Sequence, residues 1–393
     1  MIMANDLLKN YIYPVAVLSG SIIGVGFFSL PYVAMKAGIW VMLAYFLGVT
    51  ALVVFLHIIF AEISLKTPDF KRFPGFARFY FGRKGEVVAL AVTIIGGFGV
   101  LLAYLIVGGE FLTNIFQPVF GGGVFWYTLL YFLAASAIIF LGIKIIARVE
   151  LWVLIILFLS VLFVFVQGFY KIRLSNIFNI DFQFFPILSG IHDGKAVGTI
   201  FNFQNLFLPY GALLFALWGV GLIPEVEEML GGKKYLVKKV VAAATLIPAV
   251  FYVLFVFLVL GISGSGTTET ALTGLKFFLG KSAVIAALLA GVMATFVAFV
   301  AQGFLLERTL IFDLGIKKWH AFLISCCTPF ILLMLGFKSF IPLVSFLGGF
   351  MVGISGILIL MMYKKIGGRN IIIYPLYLVF LAGIIYEIIY FVR

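Results

Sequence analysis

The chain has 393 residues, 64% of them hydrophobic and 11% charged, with a net charge of +12 and a mean hydropathy of +1.24. Soluble domains average about 25% charged residues, so the composition excludes a soluble globular protein, and loop charges of a membrane protein account for the basic excess without nucleic acid. The only cysteines, Cys326 and Cys327, are adjacent in an apolar segment and read as packing residues, with no disulfide framework or metal cluster.

A membrane-spanning helix needs about 20 apolar residues, and such segments recur along the whole chain. The first runs from about Tyr11 to Ala34 and carries Leu18-Ser-Gly-Ser-Ile-Ile-Gly-Val-Gly-Phe-Phe-Ser-Leu-Pro31. It has no small-residue cleavage site, so it is not read as a removable signal peptide. Its glycines and serines stand where a simple anchor would carry leucine. A break at that depth frees backbone groups, which persist only if they face protein, water or a ligand. Segment two runs from about Gly38 to Leu65. A basic loop follows with Lys66, Lys71, Arg72, Arg78, Arg83 and Lys84, and segment three spans about Glu86 to Phe116. Segment four is about Val124 to Gly142 and segment five about Val149 to Phe169; the polar stretch Tyr170 to Asn202 is placed outside. Segment six, Asn205 to Met229, is interrupted at Phe215-Ala-Leu-Trp-Gly-Val-Gly-Leu-Ile-Pro224. Segment seven is about Leu236 to Ile262, and an outside loop rich in Gly, Ser and Thr follows it. Segments eight to eleven are about Ser282 to Asp313, Trp319 to Gly336, Phe340 to Tyr363 and Ile371 to Val392. The prediction is an all-α, multi-pass integral membrane protein of eleven transmembrane helices in one domain.

Loop charge sets the orientation. With a cytoplasmic amino terminus, 19 of the 27 Lys and Arg residues fall inside, from Lys9 through Lys144 and Arg148 to Lys364, Lys365 and Arg369. The 8 outside include Lys195 and the terminal Arg393. This positive-inside bias supports both the alternation and the count, and it places the carboxyl terminus outside the cell membrane. Segments one to five and six to ten occupy nearly equal lengths, about 11–170 and 205–363, leaving 371–392 as an extra helix. Five is odd, so the second set is inverted. Each set opens on an interrupted helix, with Gly24-x-Gly26 before Pro31 and Gly219-x-Gly221 before Pro224. Paired Gly/Pro-interrupted segments at matching positions point to a transporter site; the plainer alternative is that small residues let helices pack closely. Half-helix amino ends hold a carboxylate, and carboxyl ends hold an ammonium group or a sodium ion. An amino acid can therefore be recognised by backbone alone.

The motif from Ser19 to Pro31 resembles the first helix of amino acid permeases of the amino acid/auxin and aromatic amino acid permease type. These belong to the amino acid–polyamine–organocation superfamily with the LeuT-like 5+5 inverted repeat. Ala103-Tyr-Leu-Ile-Val-Gly-Gly-Glu-Phe-Leu112 resembles their third helix. Gly211 to Val226, with its Pro-Glu, resembles the sixth, and Thr295 to Gly315 the eighth. The resemblance implies that substrate lies against Ser21, Ile22, Gly24, Val25 and Gly26, facing Phe215, Ala216, Leu217 and Trp218, with Tyr104 closing the pocket. Ordinary packing is the alternative for Phe215 and Trp218 in a chain that is 17% aromatic, but their place beside the break favours contact with substrate. Sodium-coupled relatives use carbonyls of the first break and hydroxyls of the eighth helix. Gly20, Ile23 and Thr295 would supply these, but Ala294 and Phe296 add no hydroxyl. Certain proton-coupled relatives place a lysine in helix five; none occurs between Leu151 and Gln167.

Ionisable residues inside a membrane are functional candidates by default. His57, Glu110 and Glu225 are the proton-coupling candidates, with a hydrogen-bonded packing role as the alternative for His57. Glu62 and Glu307 are expected to pair with loop cations, and Glu227 and Glu228 to be solvated. Three scattered histidines make no catalytic or metal cluster, no phosphate-binding loop implies ATP, and no repeated filter motif suggests a channel. The reading is therefore not an enzyme but a secondary active amino acid transporter working by alternating access. It needs the lipid bilayer, a neutral and bulky or aromatic amino acid, and sodium or a proton, with no cofactor. A transporter-fold sensor or uncoupled exchanger is the alternative, and the oligomeric state stays open.

Overall fold

Helices form wherever the sequence is apolar, because a bilayer leaves backbone groups no partner but their own chain. A computed structural model describes residues 11–69, 71–141, 146–178, 203–231 and 233–392. The orientation assigned to Lys9, Lys144, Lys195 and Arg393, and the outside placement of 179–202, lie outside the described residues.

Segment one is two helices, α1 (Tyr13–Ile22) and α2 (Leu30–Ala37), bent by 50° around a 3-10 turn at Val25–Ser29. Segment two is α3 (Ile39–Lys66), and segments three to five are α4 (Phe73–Phe120), α5 (Val124–Leu141) and α6 (Ile146–Gly168). A short α7 (Leu174–Phe178) follows. Segment six is again broken, into α8 (Phe203–Leu217) and α9 (Ile223–Leu230) around a 3-10 turn at Val220–Leu222. Beyond it lie α10 (Lys234–Ser263), α11 (Lys281–Phe312) and α12 (Lys318–Met334). Segment ten divides into α13 (Phe340–Phe346) and α14 (Gly353–Lys365) around a π-helical turn at Leu347–Val352, and α15 (Asn370–Val392) closes the chain.

Each of the eleven predicted segments thus has a helical counterpart. Eight described helices are long and apolar enough to span a membrane, and the bent α1–α2 pair makes a ninth. Ile155–Lys171 and Lys318–Met334 are apolar but shorter, so a count of eleven spans depends on including both. The loop after segment two differs from the expectation. Phe73 to Phe81 are helical and run into the long part of α4 through Gly82 at φ +64°. Phe76 and Ala77 are buried, and Phe73 and Phe76 meet the Phe60 ring at 6.0 and 5.2 Å. An apolar stripe at helical spacing is hidden there among basic residues.

The helices sort into two groups. Helices α1, α2, α3, α8 and α10 pack on one another, while α4 packs with α5, α11 and α12, and α6 lies against α11. The two breaks sit within the first group, where it faces α4.

Candidate functional site

Each break is written by glycine and stopped by proline. At Ile23 (φ −75°, ψ 79°) the first helix ends, Gly24 is extended, and Pro31 stands in the first turn of α2, where its missing N–H costs nothing. Pro224 holds the same place in α9. The glycines serve close approach. A Cβ on Gly26 would lie 2.8 Å from Phe215 Cδ1 and 2.9 Å from Ala216 Cα; one on Gly219 would lie 2.5 Å from Ile22 Cγ1. Each break therefore seats in a gap left by the other.

The freed backbone groups find partners on neighbouring helices. The Tyr252 hydroxyl of α10, fully buried, lies 2.9 Å from the Ile22 carbonyl and 3.0 Å from the Ala216 carbonyl. One hydroxyl carries one hydrogen, so the carboxyl ends of the two broken helices share a single donor. The Gly219 N–H donates to His57 Nε2 at 3.2 Å. That fixes the imidazole tautomer, because Nδ1 must then carry the hydrogen and donate to Thr245 Oγ1 at 2.9 Å. Ser19 Oγ donates to the Ala244 carbonyl at 3.0 Å.

Between the breaks and α4 lies a cavity of about 330 Å³, at the small end of the range for ligand sites. Ser21, Ile22, Gly24, Val25, Gly26, Tyr104, Phe215, Ala216 and Trp218 line it, so the structure brings together nine of the ten residues that the resemblance placed against substrate. Leu217 does not line it and is fully buried. The cavity continues from the breaks past Gln302 and Ser355 to Glu225, Leu222 and Phe73, near the basic loop. On the other side of the first break Phe27 and Phe28 are closed in by Phe255 and Phe111, at ring separations of 4.9 and 5.1 Å.

Residues 9–273 match the tryptophan/tyrosine permease family. The chain belongs to that family. It is an amino acid permease embedded in a membrane, not an enzyme. The permease is 30% identical to tyrosine-specific transport system 1 of Haemophilus influenzae over 107 residues, which span 27% of each protein. Its fold is that of MhsT solved with L-phenylalanine, which is 14% identical, with 96% of this chain and 97% of that one covered at a TM-score of 0.61. It is also that of Mhp1, a nucleobase-cation-symport-1 family transporter, at 13% identity, 88% and 76% coverage and a TM-score of 0.60. The manganese transporter of Eremococcus coleocola aligns at 13% identity, 97% and 86% coverage and a TM-score of 0.67. These are LeuT-fold transporters, and their cargoes differ so much that the fold cannot name a substrate.

The remaining candidates of the permease are scattered. Glu225 lines the cavity, and its buried Oε2 has no hydrogen-bond partner. Glu110 lies outside it and accepts from Thr270 Oγ1 of the loop after α10 at 3.0 Å. Thr295 is buried and spends its hydroxyl within α11, 2.9 Å from the Gly291 carbonyl and 3.1 Å from that of Val292; neither it nor Gly20 nor Ile23 lines the cavity. Glu62 pairs with Lys66 and Lys238 at 2.9 and 2.8 Å as expected. Glu307 is buried and makes no ion pair among the described residues, because the nearby loop cations stay at the surface. Glu227 is not simply solvated, since its Oε2 accepts from Ser64 Oγ at 2.5 Å. Tyr252 and Thr245 were missed: a tyrosine and a threonine in a long apolar helix carry no local signal.

Proposed function

We propose that this permease is a secondary active transporter that takes up neutral, bulky or aromatic amino acids together with a cation by alternating access. Its repeats are 11–170 and 205–363, and it sits in the cell membrane with a cytoplasmic amino terminus and an extracellular carboxyl terminus. The observation that carries this reading is the cavity at the paired breaks. Its size suits one amino acid, Val92, Val100, Phe215, Trp218 and Leu305 give it apolar walls, and no Lys, Arg or His among the described residues lines it. Backbone groups at the breaks other than those already taken by Tyr252 and His57, with the Glu225 carboxylate further along, are there to hold the charged ends of the zwitterion. Movement of the α1–α3, α8 and α10 group against the α4 group would expose the cavity to one side and then the other. The kinship with a tyrosine-specific transport system supports the substrate class.

The test is uptake of labelled tryptophan, tyrosine and phenylalanine into proteoliposomes under an imposed pH gradient or an imposed sodium gradient. Accumulation under one gradient alone is the expected result, and it names the ion. Counterflow without accumulation would replace the reading with an uncoupled exchanger; binding with neither would replace it with a sensor.

A further inference from the structure

A carboxylate that lines no part of the cavity is enclosed behind it. Glu387 of α15 is 1% exposed. Its Oε1 accepts from Ser345 Oγ of α13 at 2.7 Å, and its Oε2 is buried with no hydrogen-bond partner. Among the described residues, the titratable groups near it are tyrosines: Tyr210 from α8, and Tyr386 and Tyr390 from its own helix, with Tyr45 of α3 beyond them. No lysine, arginine or histidine pairs with it among the described residues. A carboxylate held there as an anion would be an uncompensated buried charge, whereas the same group holding a proton is neutral.

The element beside it connects this group to the substrate cavity. The π-helical turn Leu347–Val352 lies between α15 and α8. On one side, Gly349 has no Cβ because one would come within 2.6 Å of Glu387 Oε1. On the other, Gly348 abuts the backbone of Gly211 and Phe215, and Ser345 Cα would lie 2.9 Å from a Cβ on Gly211. Leu347, Met351 and Val352 of the same turn line the cavity, as does Phe215. Single π turns inside α-helices recur at functional sites. Here one face of the turn holds an acid and the other shapes the substrate site.

We propose that Glu387 is the proton-binding site of this permease. This rests on the transport reading above and names its cation. The carboxylate, packed against Gly349, binds one proton to become a neutral acid. Loss of that proton leaves an anion that needs water or a cation, and admitting either displaces the π turn together with Leu347, Met351 and Val352. Proton occupancy and substrate affinity are thereby linked, each altering the other by the same factor.

The experiment compares the wild type, Glu387→Gln and Ser345→Ala in proteoliposomes, using labelled tyrosine for both gradient-driven accumulation and counterflow. Glu387→Gln keeps the shape and removes the titration. It is expected to lose proton-driven accumulation by about tenfold or more, and the counterflow that remains no longer varies with pH. Ser345→Ala leaves the acid in place and is expected to keep accumulation with a shifted pH dependence, which covers the case in which the glutamine variant does not yield monodisperse protein. Proton-driven accumulation unchanged in Glu387→Gln would overturn the proposal, as would an unshifted pH profile in Ser345→Ala. Accumulation by the wild type under a sodium gradient alone would also overturn it while leaving the transport reading intact. A wild type with neither accumulation nor counterflow would bring down the transport reading itself, and this proposal with it.

Discussion

The two helix breaks look alike in sequence and differ in what holds them. Both are Gly-x-Gly stretches followed by proline, and both give a carbonyl to Tyr252. The first break is held by α10 and by its own turn: Tyr252 donates to the Ile22 carbonyl, Ser19 anchors the preceding turn to Ala244, and Ser29 Oγ donates to the Gly26 carbonyl at 2.6 Å. The second is also held by α3, through the Gly219 N–H and His57. A change at Tyr252 must therefore reach both breaks, whereas a change at His57 reaches the second directly and the first only through packing. The pattern that makes a break and the residues that support it are separate things, and only the former repeats.

The largest expected effect comes from filling the gap that the breaks share. Gly26→Leu places side-chain atoms where a Cβ alone already meets the Ala216 backbone, and backbone cannot rotate away as a side-chain end can. Amino acid binding should disappear while the protein stays folded and monodisperse, as judged by a binding assay and size-exclusion chromatography. Retained affinity would remove the first break from the site. Tyr252→Phe comes next. It keeps the ring against Phe27, at 5.6 Å between centroids, and strips the shared hydroxyl from two buried carbonyls. A buried group left unsatisfied costs about 1–3 kcal/mol, so thermal unfolding should come several degrees earlier and substrate affinity should fall by about tenfold. Loss of stability with unchanged affinity would make Tyr252 a packing residue only.

His57→Leu is expected to cost about 1–2 kcal/mol, because it orphans the Gly219 N–H and leaves Thr245 without its donor. Thr245→Val removes only the second of these contacts and should cost less. His57 and Trp218 stand 5.8 Å apart, ring to ring, so tryptophan fluorescence reports the same ranking. The comparison sharpens here: His57→Leu should weaken binding without uncoupling uptake from the pH gradient, since both ring nitrogens are engaged in holding the break. Uncoupling in this variant would move the proton from Glu387 to His57.

Much of the fold was legible because a bilayer restricts what a chain can do. Apolar runs become helices, and a Gly/Pro interruption within one must be a designed break, so segments one and six and their facing residues followed from pattern and resemblance. The polar partners did not. Tyr252, Thr245, Ser345 and Glu387 act through contacts between residues 36, 188, 42 and more positions apart in sequence, and each is a single polar residue in an apolar run. The π turn at Leu347–Val352 was hidden for a related reason: Gly348 and Gly349 read as small packing residues until α8 and α15 are seen on either side of them. In the basic loop after segment two, charge concealed the apolar stripe of Phe73, Phe76 and Ala77.

The smallest effect is expected at Thr295. Its hydroxyl donates to carbonyls of its own helix, and those carbonyls already accept helical hydrogen bonds, so Thr295→Val orphans neither of them. Stability should change by no more than about 1 kcal/mol, because neither carbonyl is left unpaired. Accumulation under a pH gradient should match the wild type. If instead the wild type accumulates amino acid under a sodium gradient and Thr295→Val does not, the hydroxyl must leave its helical acceptors to meet a cation with the Gly20 and Ile23 carbonyls. The first break would then hold the driving ion as well as the substrate, and the division of labour between the breaks and the π turn would fail. The same uptake assay under the two gradients separates these outcomes.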